Sequence, residues 1–336
     1  MNNGRRTMTY LGSANPLYRL GHTIQGWFAP GSRSRPVPPD FYIIAHRGAA
    51  RVAPENTLAA FAKALELGAN AIETDICVTQ DNHFILWHDA DPDGLVAMGR
   101  QVGVEQLLYK PDVPALGSSW RRPVSQLWLS ALRTYYRYKR RVPGRVEEKN
   151  TTHRLTVQPA LFEDLLAWLR QEHGVRHVFL DLKFAPEQTG AAIALLDRLH
   201  GLSTGGSLRP DLMFHLLSPQ LEIVQALVAE AQRVPLPSTL RLYADFELPG
   251  VCRSTRQLGI RHVSMGCSRR TWGDFRYEIA QVVAARDQGH FDAVIAWTVN
   301  NEVQLKDLVN LGINGIITDD PALLQRIMAQ QACRSR

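Results

Sequence analysis

Three polar clusters lie close together between residues 43 and 89, each on or just past a short apolar run. The clusters are His46-Arg47-Gly48, Glu73-x-Asp75 and His88-Asp89. Short apolar runs of this kind predict buried strands. If these strands are neighbours, imidazoles, carboxylates and a guanidinium converge on one pocket. Such a set is able to hold a divalent cation and a phosphate group and to transfer protons.

Glu73 and Asp75 are the residues whose placement most favours a metal site. They are two positions apart on a predicted strand, so both side chains point to the same face of the sheet. The surrounding positions, including Ala71, Ile72 and Ile76, are apolar, which indicates a buried strand rather than an exposed one. Two buried carboxylates need a cation, and hard oxygen ligands suit Mg²⁺ or Ca²⁺.

His46 and His88 end the first and third predicted strands of the chain, and in a barrel the carboxyl ends of the strands face the active site. A histidine of near-neutral pKa is suited to passing a proton between an attacking group and a leaving group. Taken singly, each is typical of an ordinary hydrogen-bonded histidine, but beside Glu73 and Asp75 the pair favours catalysis. Arg47 follows His46 directly, and its guanidinium would bind a phosphate as a fork; the alternative is a surface arginine.

Residues farther along the chain extend this set. Asp181 and Lys183 are again two positions apart, so the carboxylate would complete a metal's oxygen shell while the ammonium balances phosphate charge. The alternative is a salt bridge between the two side chains. Trp297 closes a later strand and would form either a wall for the organic part of a substrate or part of the core.

The apolar runs that position these residues alternate with helical patterns over most of the chain. Nine runs predict strands, at residues 41–46, 71–78, 83–88, 175–182, 212–217, 240–246, 260–265, 293–299 and 313–318. Alternating strands and helices predict an α/β fold with a parallel sheet. A closed (β/α)₈ barrel, the TIM barrel, has eight places, so one of the nine strands must be ancillary.

An internal repeat supports the barrel. The pattern Leu-Gly-x-Asn-x-Ile-x-Thr-Asp occurs at residues 67–75 and again at 311–319. Each copy predicts a helix end, a glycine stop and a strand that finishes on an acid. Chance similarity of two such units is the alternative, so the repeat adds to the alternation of elements and does not replace it.

Composition limits the class of protein. The 336 residues are 45% hydrophobic and 21% charged, which suits a globular chain with a sizeable core. A formal charge of +6 and a pI of about 9.3 favour anionic partners. The sequence has no apolar run near the ~20 residues of a membrane span and no clear signal peptide, and its cysteines have no metal-type spacing. We therefore expect a cytoplasmic protein.

Two segments stand apart from the predicted barrel of residues 41–330. Residues 1–40 are predicted to form an arm with a Pro-rich linker, in which apolar positions within 14–28 have helical spacing. Residues 90–158 are predicted to be a basic helical insertion with aromatic and arginine faces, centred on 120–145. Each segment would either pack against the barrel or lie on an anionic membrane surface. Nucleic-acid binding rests on net charge alone and is not expected.

The ordered motifs of the chain resemble the glycerophosphodiester phosphodiesterase family. The motifs are H-R-G, P-E-N-T, E-x-D and H-D within 41–89, and W-T-V-N and G-I-x-T-D-x-P near the end of the barrel. The resemblance implies a TIM barrel and divalent-cation-dependent hydrolysis of glycerophosphodiesters to glycerol 3-phosphate and an alcohol. By position, His46 and His88 match catalytic histidines and Glu73 and Asp75 match metal ligands.

Asp181 departs from this family pattern, because it stands where the family usually has Glu, whereas Lys183 matches the family's lysine. The insertion at 90–158 is also unusually long and borders the expected substrate mouth. A related branch cleaves lysophospholipids or sphingomyelin in phospholipase D fashion, so a lysophospholipid is the alternative substrate. A barrel that binds lipid without catalysis is the non-enzyme alternative.

Overall fold

A computed structural model describes residues 37–105, 107–141, 156–246, 255, 258–268 and 271–334. The strands of this part of the chain are β1 (Tyr42–Ala45), β2 (Ala71–Val78), β3 (Phe84–Leu86), β4 (Tyr109–Asp112), β5 (Arg137–Arg140), β6 (Thr156–Val157), β7 (His177–Leu182), β8 (Met213–Ser218), β9 (Leu240–Phe246), β10 (His262–Gly266), β11 (Ala293–Trp297) and β12 (Gly315–Thr318). The α-helices are α1 (Leu58–Glu66), α2 (Leu95–Gln101), α3 (Leu129–Tyr135), α4 (Phe162–Gln171), α5 (Thr189–Thr204), α6 (Leu221–Arg233), α7 (Trp272–Asp287), α8 (Glu302–Leu311) and α9 (Pro321–Arg334).

Eight parallel strands close into a barrel, which confirms the predicted TIM fold. The hydrogen-bonded order is β1, β12, β11, β10, β9, β8, β7 and β2, and β2 pairs with β1 to complete the ring. Side chains that point inward, such as Ile44, Phe179 and Tyr243, fill the barrel interior. Outward-pointing side chains pack beneath the surrounding helices in two larger clusters. The parallel strands therefore carry apolar residues on both faces, as the sequence pattern requires.

The ancillary strand among the nine predicted ones is the third, at residues 83–88, which forms β3. Strand β3 runs antiparallel to β2, with Leu86 opposite Ile76, so it lies outside the ring of parallel strands. This corrects the prediction that His88 ends a barrel strand. His88 instead follows a hairpin strand whose end lies back towards the Glu73–Asp75 half of β2, since Trp87 N donates to Asp75 O at 3.1 Å.

The chain between β1 and α1 makes the first tight connection at the open end of the barrel. Thr57 starts α1 by accepting a hydrogen bond from Ala60 N at 3.3 Å. Gly48 has φ +77°, and a Cβ there would lie 2.7 Å from the backbone of Ala60. Glycine is required at this position because both the backbone conformation and the close approach of α1 exclude a side chain.

The insertion is not the continuous basic helix that the sequence predicted. Helix α3 ends at Tyr135, and the next residues form β5, the middle strand of an antiparallel sheet with β4 and β6. Tyr136 and Tyr138 are both buried, and the Trp87 and Tyr138 rings lie 4.7 Å apart. Burying alternate positions requires a period of two, which a strand supplies and a helix does not.

Two further predictions concern membranes. The apolar positions within 14–28 lie outside the described residues, so their role stays a prediction. In the described part of the chain, none of the helices has the length and apolar content needed to cross a bilayer.

Candidate active site

Three carboxylates converge between the neighbouring strands β2 and β7. Glu73, Asp75 and Asp181 each offer an oxygen within 4.8 Å of the others, and they form the metal-type cluster found among the described residues. Asp75 and Asp181 are direct neighbours in the register of the two strands. Glu73 and Asp75 therefore point to the same side of β2, as the E-x-D spacing predicts, and they lie beside Asp181 of the next barrel strand.

The electrostatics of this cluster are those of crowded, buried acids. Burial and then the Asp75 charge raise the pKa of Glu73 to about 8. Asp75 responds in the opposite direction: burial alone would raise its pKa, but Lys183 and Arg47 lower it to about 2. Asp181 Oδ1 is buried and has no hydrogen-bond partner. An orphaned oxygen among three close carboxylates is the donor set that a hard divalent cation fits.

The turn after β1 directs a backbone donor at this cluster. Arg47 has φ +53°, a left-handed conformation that is uncommon for a residue with a side chain. In this conformation Arg47 N donates to Glu73 Oε2 at 2.8 Å. Backbone strain at this position therefore coincides with a contact to a candidate metal ligand.

The Arg47 side chain is ion-paired with acids on the protein. Its Nη1 donates to Glu55 Oε2 at 3.1 Å, and its Nε lies 3.1 Å from Asp75 Oδ2. The side chain is only 6% exposed. The phosphate-binding role of Arg47 stays a prediction, and these contacts show that the guanidinium also neutralises the acids around it.

His46 is held by an acid from the last barrel strand. Its Nδ1 lies 2.7 Å from Asp319 Oδ1, and Asn300 Nδ2 donates to the other Asp319 oxygen at 2.6 Å. Burial and Arg47 both oppose protonation of His46, but Asp319 and then Glu73 outweigh them, so its pKa lies above the usual value. The carboxylate fixes the ring through Nδ1 and leaves Nε2 for another partner.

His88 has a similar arrangement with a different charge balance. Its Nδ1 lies 2.6 Å from Asp89 Oδ1, and Arg100 Nε donates to the same oxygen at 2.9 Å. Burial lowers the pKa of His88 well below its usual value, and the positive charges of Arg47 and Arg100 add to this effect. The two histidines are therefore shifted in opposite directions.

Arg100, on α2 of the insertion, forms ion pairs with three acids near the site. Besides Asp89 it contacts Glu55, the partner of Arg47, and Glu105. Its side chain is 2% exposed, as is that of Glu55. The insertion thus supplies a buried cation to the acid that holds His88 and to the acid that pairs with Arg47.

Lys183 and Trp297 lie on the two sides of the barrel mouth. Lys183 Nζ donates to Asp181 Oδ2 at 2.6 Å and lies 3.2 Å from Asp75 Oδ1, so the salt bridge considered from the sequence is present. Trp297 Nε1 donates to Asp245 Oδ1 at 2.6 Å. Burial raises the pKa of Asp245 to about 7, and the Asp181 charge adds to this rise.

Several site residues were not singled out from the sequence. Asp319 ends a predicted strand in the repeat and Asp245 lies at the end of another, so the strand-end argument was sufficient to find both. Glu55 lies within the P-E-N-T motif. Arg100 had no signal, because nothing in the sequence shows which way a residue of an insertion points.

The fold and the site together define a TIM-barrel protein with a cluster of three acids at the mouth of the barrel. The family model described as "Glycerophosphoryl diester phosphodiesterase family" matches residues 46–323. The match covers most of the 336 residues, and the chain belongs to this family. This confirms the resemblance carried by the motifs.

Individual relatives agree with this family. A glycerophosphodiester phosphodiesterase of Caldanaerobacter subterraneus is 51% identical over 51 residues, which span 15% of this chain and 21% of the relative. The chain therefore matches only about a fifth of that relative's length.

Solved structures agree over a much longer span. A glycerophosphodiester phosphodiesterase from Parabacteroides distasonis gives a TM-score of 0.60 at 15% identity and covers 87% of this chain and 98% of its own. A phosphodiesterase from Oleispira antarctica, in complex with the product sn-glycerol-3-phosphate, gives a TM-score of 0.58 at 16% identity. The match covers 85% of this chain and 96% of that one. Their likeness confirms the fold.

Proposed function

We propose that this protein hydrolyses glycerophosphodiesters to glycerol 3-phosphate and an alcohol with the help of one divalent cation. The observation that carries the proposal is the convergence of Glu73, Asp75 and Asp181 within 4.8 Å at the barrel mouth. Mg²⁺ or Ca²⁺ fits this oxygen set. When bound, the cation would neutralise phosphate charge. Family membership supports the same reaction class.

The two histidines divide the proton transfers in this proposal. The lowered pKa of His88 favours its neutral form, which accepts a proton as the attacking oxygen bonds to phosphorus. The attacker is water, which gives glycerol 3-phosphate directly, or a substrate hydroxyl, which gives a cyclic phosphate that water then opens. The raised pKa of His46 favours its protonated form, which gives a proton to the alcohol oxygen as its bond to phosphorus breaks. Asp89 and Asp319 hold the respective Nδ1 atoms and leave each Nε2 for the substrate.

The remaining predicted site residues bind rather than transfer protons. Lys183 lies beside Asp75 and Asp181 and supplies a positive charge for a phosphate oxygen. Arg47, which pairs with Asp75, supplies a second positive charge for the same phosphate group. Trp297, half-buried at the mouth, forms a wall for the alcohol part of the substrate. A cytoplasmic location and membrane contact through 120–145 and 14–28 remain predictions.

Turnover of glycerophosphocholine tests the proposal. Wild-type protein is assayed with chelator and then with Mg²⁺ or Ca²⁺ restored, beside Glu73→Gln. The matched control is Glu66→Gln, which changes the same residue type at a side chain that is 63% exposed. We expect activity that needs a cation and is lost in Glu73→Gln alone. Full activity of Glu73→Gln, or of chelated wild type, would contradict the assignment. Lipid binding without any turnover would favour the non-enzyme alternative.

A further inference from the structure

An unusually exposed apolar strip lies on the insertion next to the proposed active site. We define the apolar strip as Leu95, Val96, Met98, Val102 and Val104, which are exposed by 85%, 57%, 39%, 76% and 70%. It comprises the outer face of α2 and the turn after it. Large apolar side chains concentrated in one short exposed segment indicate an interaction surface.

Helix α2 connects this strip to the catalytic groups. Its buried residues are Ala97 and Arg100, and Arg100 donates to Asp89, the acid that holds His88. Leu95 and Met98 of the apolar strip therefore lie on the face of α2 away from Arg100, about 10 Å across the helix. Whatever covers the strip is brought next to the barrel mouth.

A positively charged ribbon borders the apolar strip. We define the basic ribbon as β4, β5 and Arg141, whose charged residues are Lys110, Asp112, Arg137, Lys139, Arg140 and Arg141. Five cations and one acid give it a net charge of +4. Helix α2 packs against β4, and a Cβ at Gly103 would lie 3.1 Å from Arg141 Cζ, so the ribbon adjoins the strip.

An aromatic residue lies at the same border. Trp120 is 44% exposed, and its neighbour Arg121 donates to Gln101 of α2 at 3.0 Å. Tryptophan is enriched where a protein meets the head-group layer of a membrane, because its ring is apolar and its N–H is polar. An apolar strip flanked by cations and an exposed tryptophan has the composition of a bilayer-binding surface.

We propose that the apolar strip and the basic ribbon dock the protein on an anionic lipid bilayer. The strip enters the boundary between head groups and acyl chains, and the ribbon contacts anionic head groups. Two copies related by a twofold axis through this surface would bring two +4 ribbons together, so charge complementarity favours the bilayer over a second copy of the chain. If the proposed function is correct, the substrate presented at this surface is a glycerophosphodiester that retains an acyl chain.

Vesicle flotation tests the docking surface. The full chain is mixed with vesicles of phosphatidylcholine, with or without phosphatidylglycerol, and compared with the triple variant Leu95→Ser, Val102→Ser, Val104→Ser. A matched control replaces Leu221 and Val303, exposed by 45% and 74% on barrel helices, with serine. We expect the triple variant to lose about tenfold or more in vesicle partitioning, and the control to bind as wild type does. Wild-type binding should also require phosphatidylglycerol and weaken with salt.

Different outcomes separate this inference from the proposed function. The triple variant should cleave soluble glycerophosphocholine as wild type does, but lose turnover of vesicle-embedded lysophosphatidylcholine in parallel with binding. Wild-type protein that does not bind vesicles, or a triple variant that binds normally, overturns the docking surface. A triple variant that changes oligomeric state instead identifies a second copy as the occupant. That result overturns the proposal. Normal binding with no turnover of either substrate overturns only the proposed function.

Discussion

Removing Arg100 is expected to damage both the stability and the activity of the protein. The guanidinium is 2% exposed and contacts Glu55 and Asp89, whose side chains are 2% and 1% exposed, and the more exposed Glu105. A pair of unit charges near 4 Å interacts by about 4 kcal/mol at an effective dielectric constant of about 20. Desolvation of the guanidinium offsets part of this attraction. Breaking such a buried set by removing one partner costs about 3–5 kcal/mol.

The effect on activity follows from Asp89. Burial already raises the pKa of Asp89 to about 6, although Arg100 acts to lower it. Without Arg100 we expect this pKa to rise further, so that Asp89 binds a proton near neutral pH and no longer holds His88 as a carboxylate. We expect Arg100→Gln to lower kcat about 10- to 100-fold, less than the 10²–10⁴-fold that a positioned acid or base supplies. The pH at which activity appears should also move upward.

Urea unfolding and a pH profile of kcat measure these two effects. The matched control is Arg137→Gln in the same insertion, where the arginine is 40% exposed and pairs with an Asp112 that is 37% exposed. Such a surface pair contributes about 0–1 kcal/mol. If Arg100→Gln unfolds as easily as Arg137→Gln and keeps an unchanged pH profile, Arg100 neither stabilises the acids nor positions His88. Loss of stability with an unshifted profile would leave Arg100 a purely structural residue.

Four further substitutions test other parts of the site and the barrel. His46→Asn and His88→Asn should each lower kcat about 10²–10⁴-fold while calorimetric cation binding persists, and a loss of binding would instead place the histidine at the metal. Asp181→Asn should weaken Mg²⁺ or Ca²⁺ binding in the same calorimeter, because it removes one charged ligand, and unchanged affinity would remove Asp181 from the site. His262 is half-buried, and burial lowers its pKa to about 4, so the unfolded chain binds its proton more readily and stability is lost as pH falls below about 6.5. Between pH 8 and pH 5, the free energy of unfolding of His262→Gln in urea should therefore rise by up to about 2 kcal/mol relative to that of wild type. The exposed His290→Gln is the control, and its free energy of unfolding should change with pH as that of wild type does.

The barrel was predictable because its signal is carried by many residues at once. Each parallel strand is buried on both faces, so each appears in the sequence as an apolar run, and helices must separate such strands. Glu73 and Asp75 were predictable for a related reason. A spacing of two on a buried strand fixes a shared inward direction before any partner is known.

The parts that were not predictable depend on directions that no local pattern contains. Strand β3 has the same apolar character as a barrel strand, and only its antiparallel pairing with β2 distinguishes it. The spacing of the aromatic residues after Trp128 predicts one helix, but burial of Tyr138 against Trp87 makes part of this stretch a strand. Arg100 lies in a chain segment whose direction is set by contacts distant in sequence.

The internal repeat proves to be a repeated way of holding an acid. Asn56 Oδ1 accepts from Thr74 Oγ1 at 2.8 Å and Asp75 N at 3.1 Å, while its Nδ2 donates to Asp75 Oδ2 at 2.8 Å. In the second copy, the Asn300 amide makes the same three contacts with Thr318 and Asp319. In each copy the asparagine precedes the aspartate by 19 residues.

The two copies hold their acids on either side of His46, because β12 and β2 both pair with β1. Both aspartates have a pKa lowered to about 2 against the effect of burial. The two aspartates differ in the residues that surround them. Asp75 lies beside Lys183 and the other two carboxylates, where a cation fits, whereas Asp319 faces the His46 ring. The same local clamp therefore keeps both acids ionised, one in the proposed cation site and the other against the imidazole, and the adjacent strand determines which.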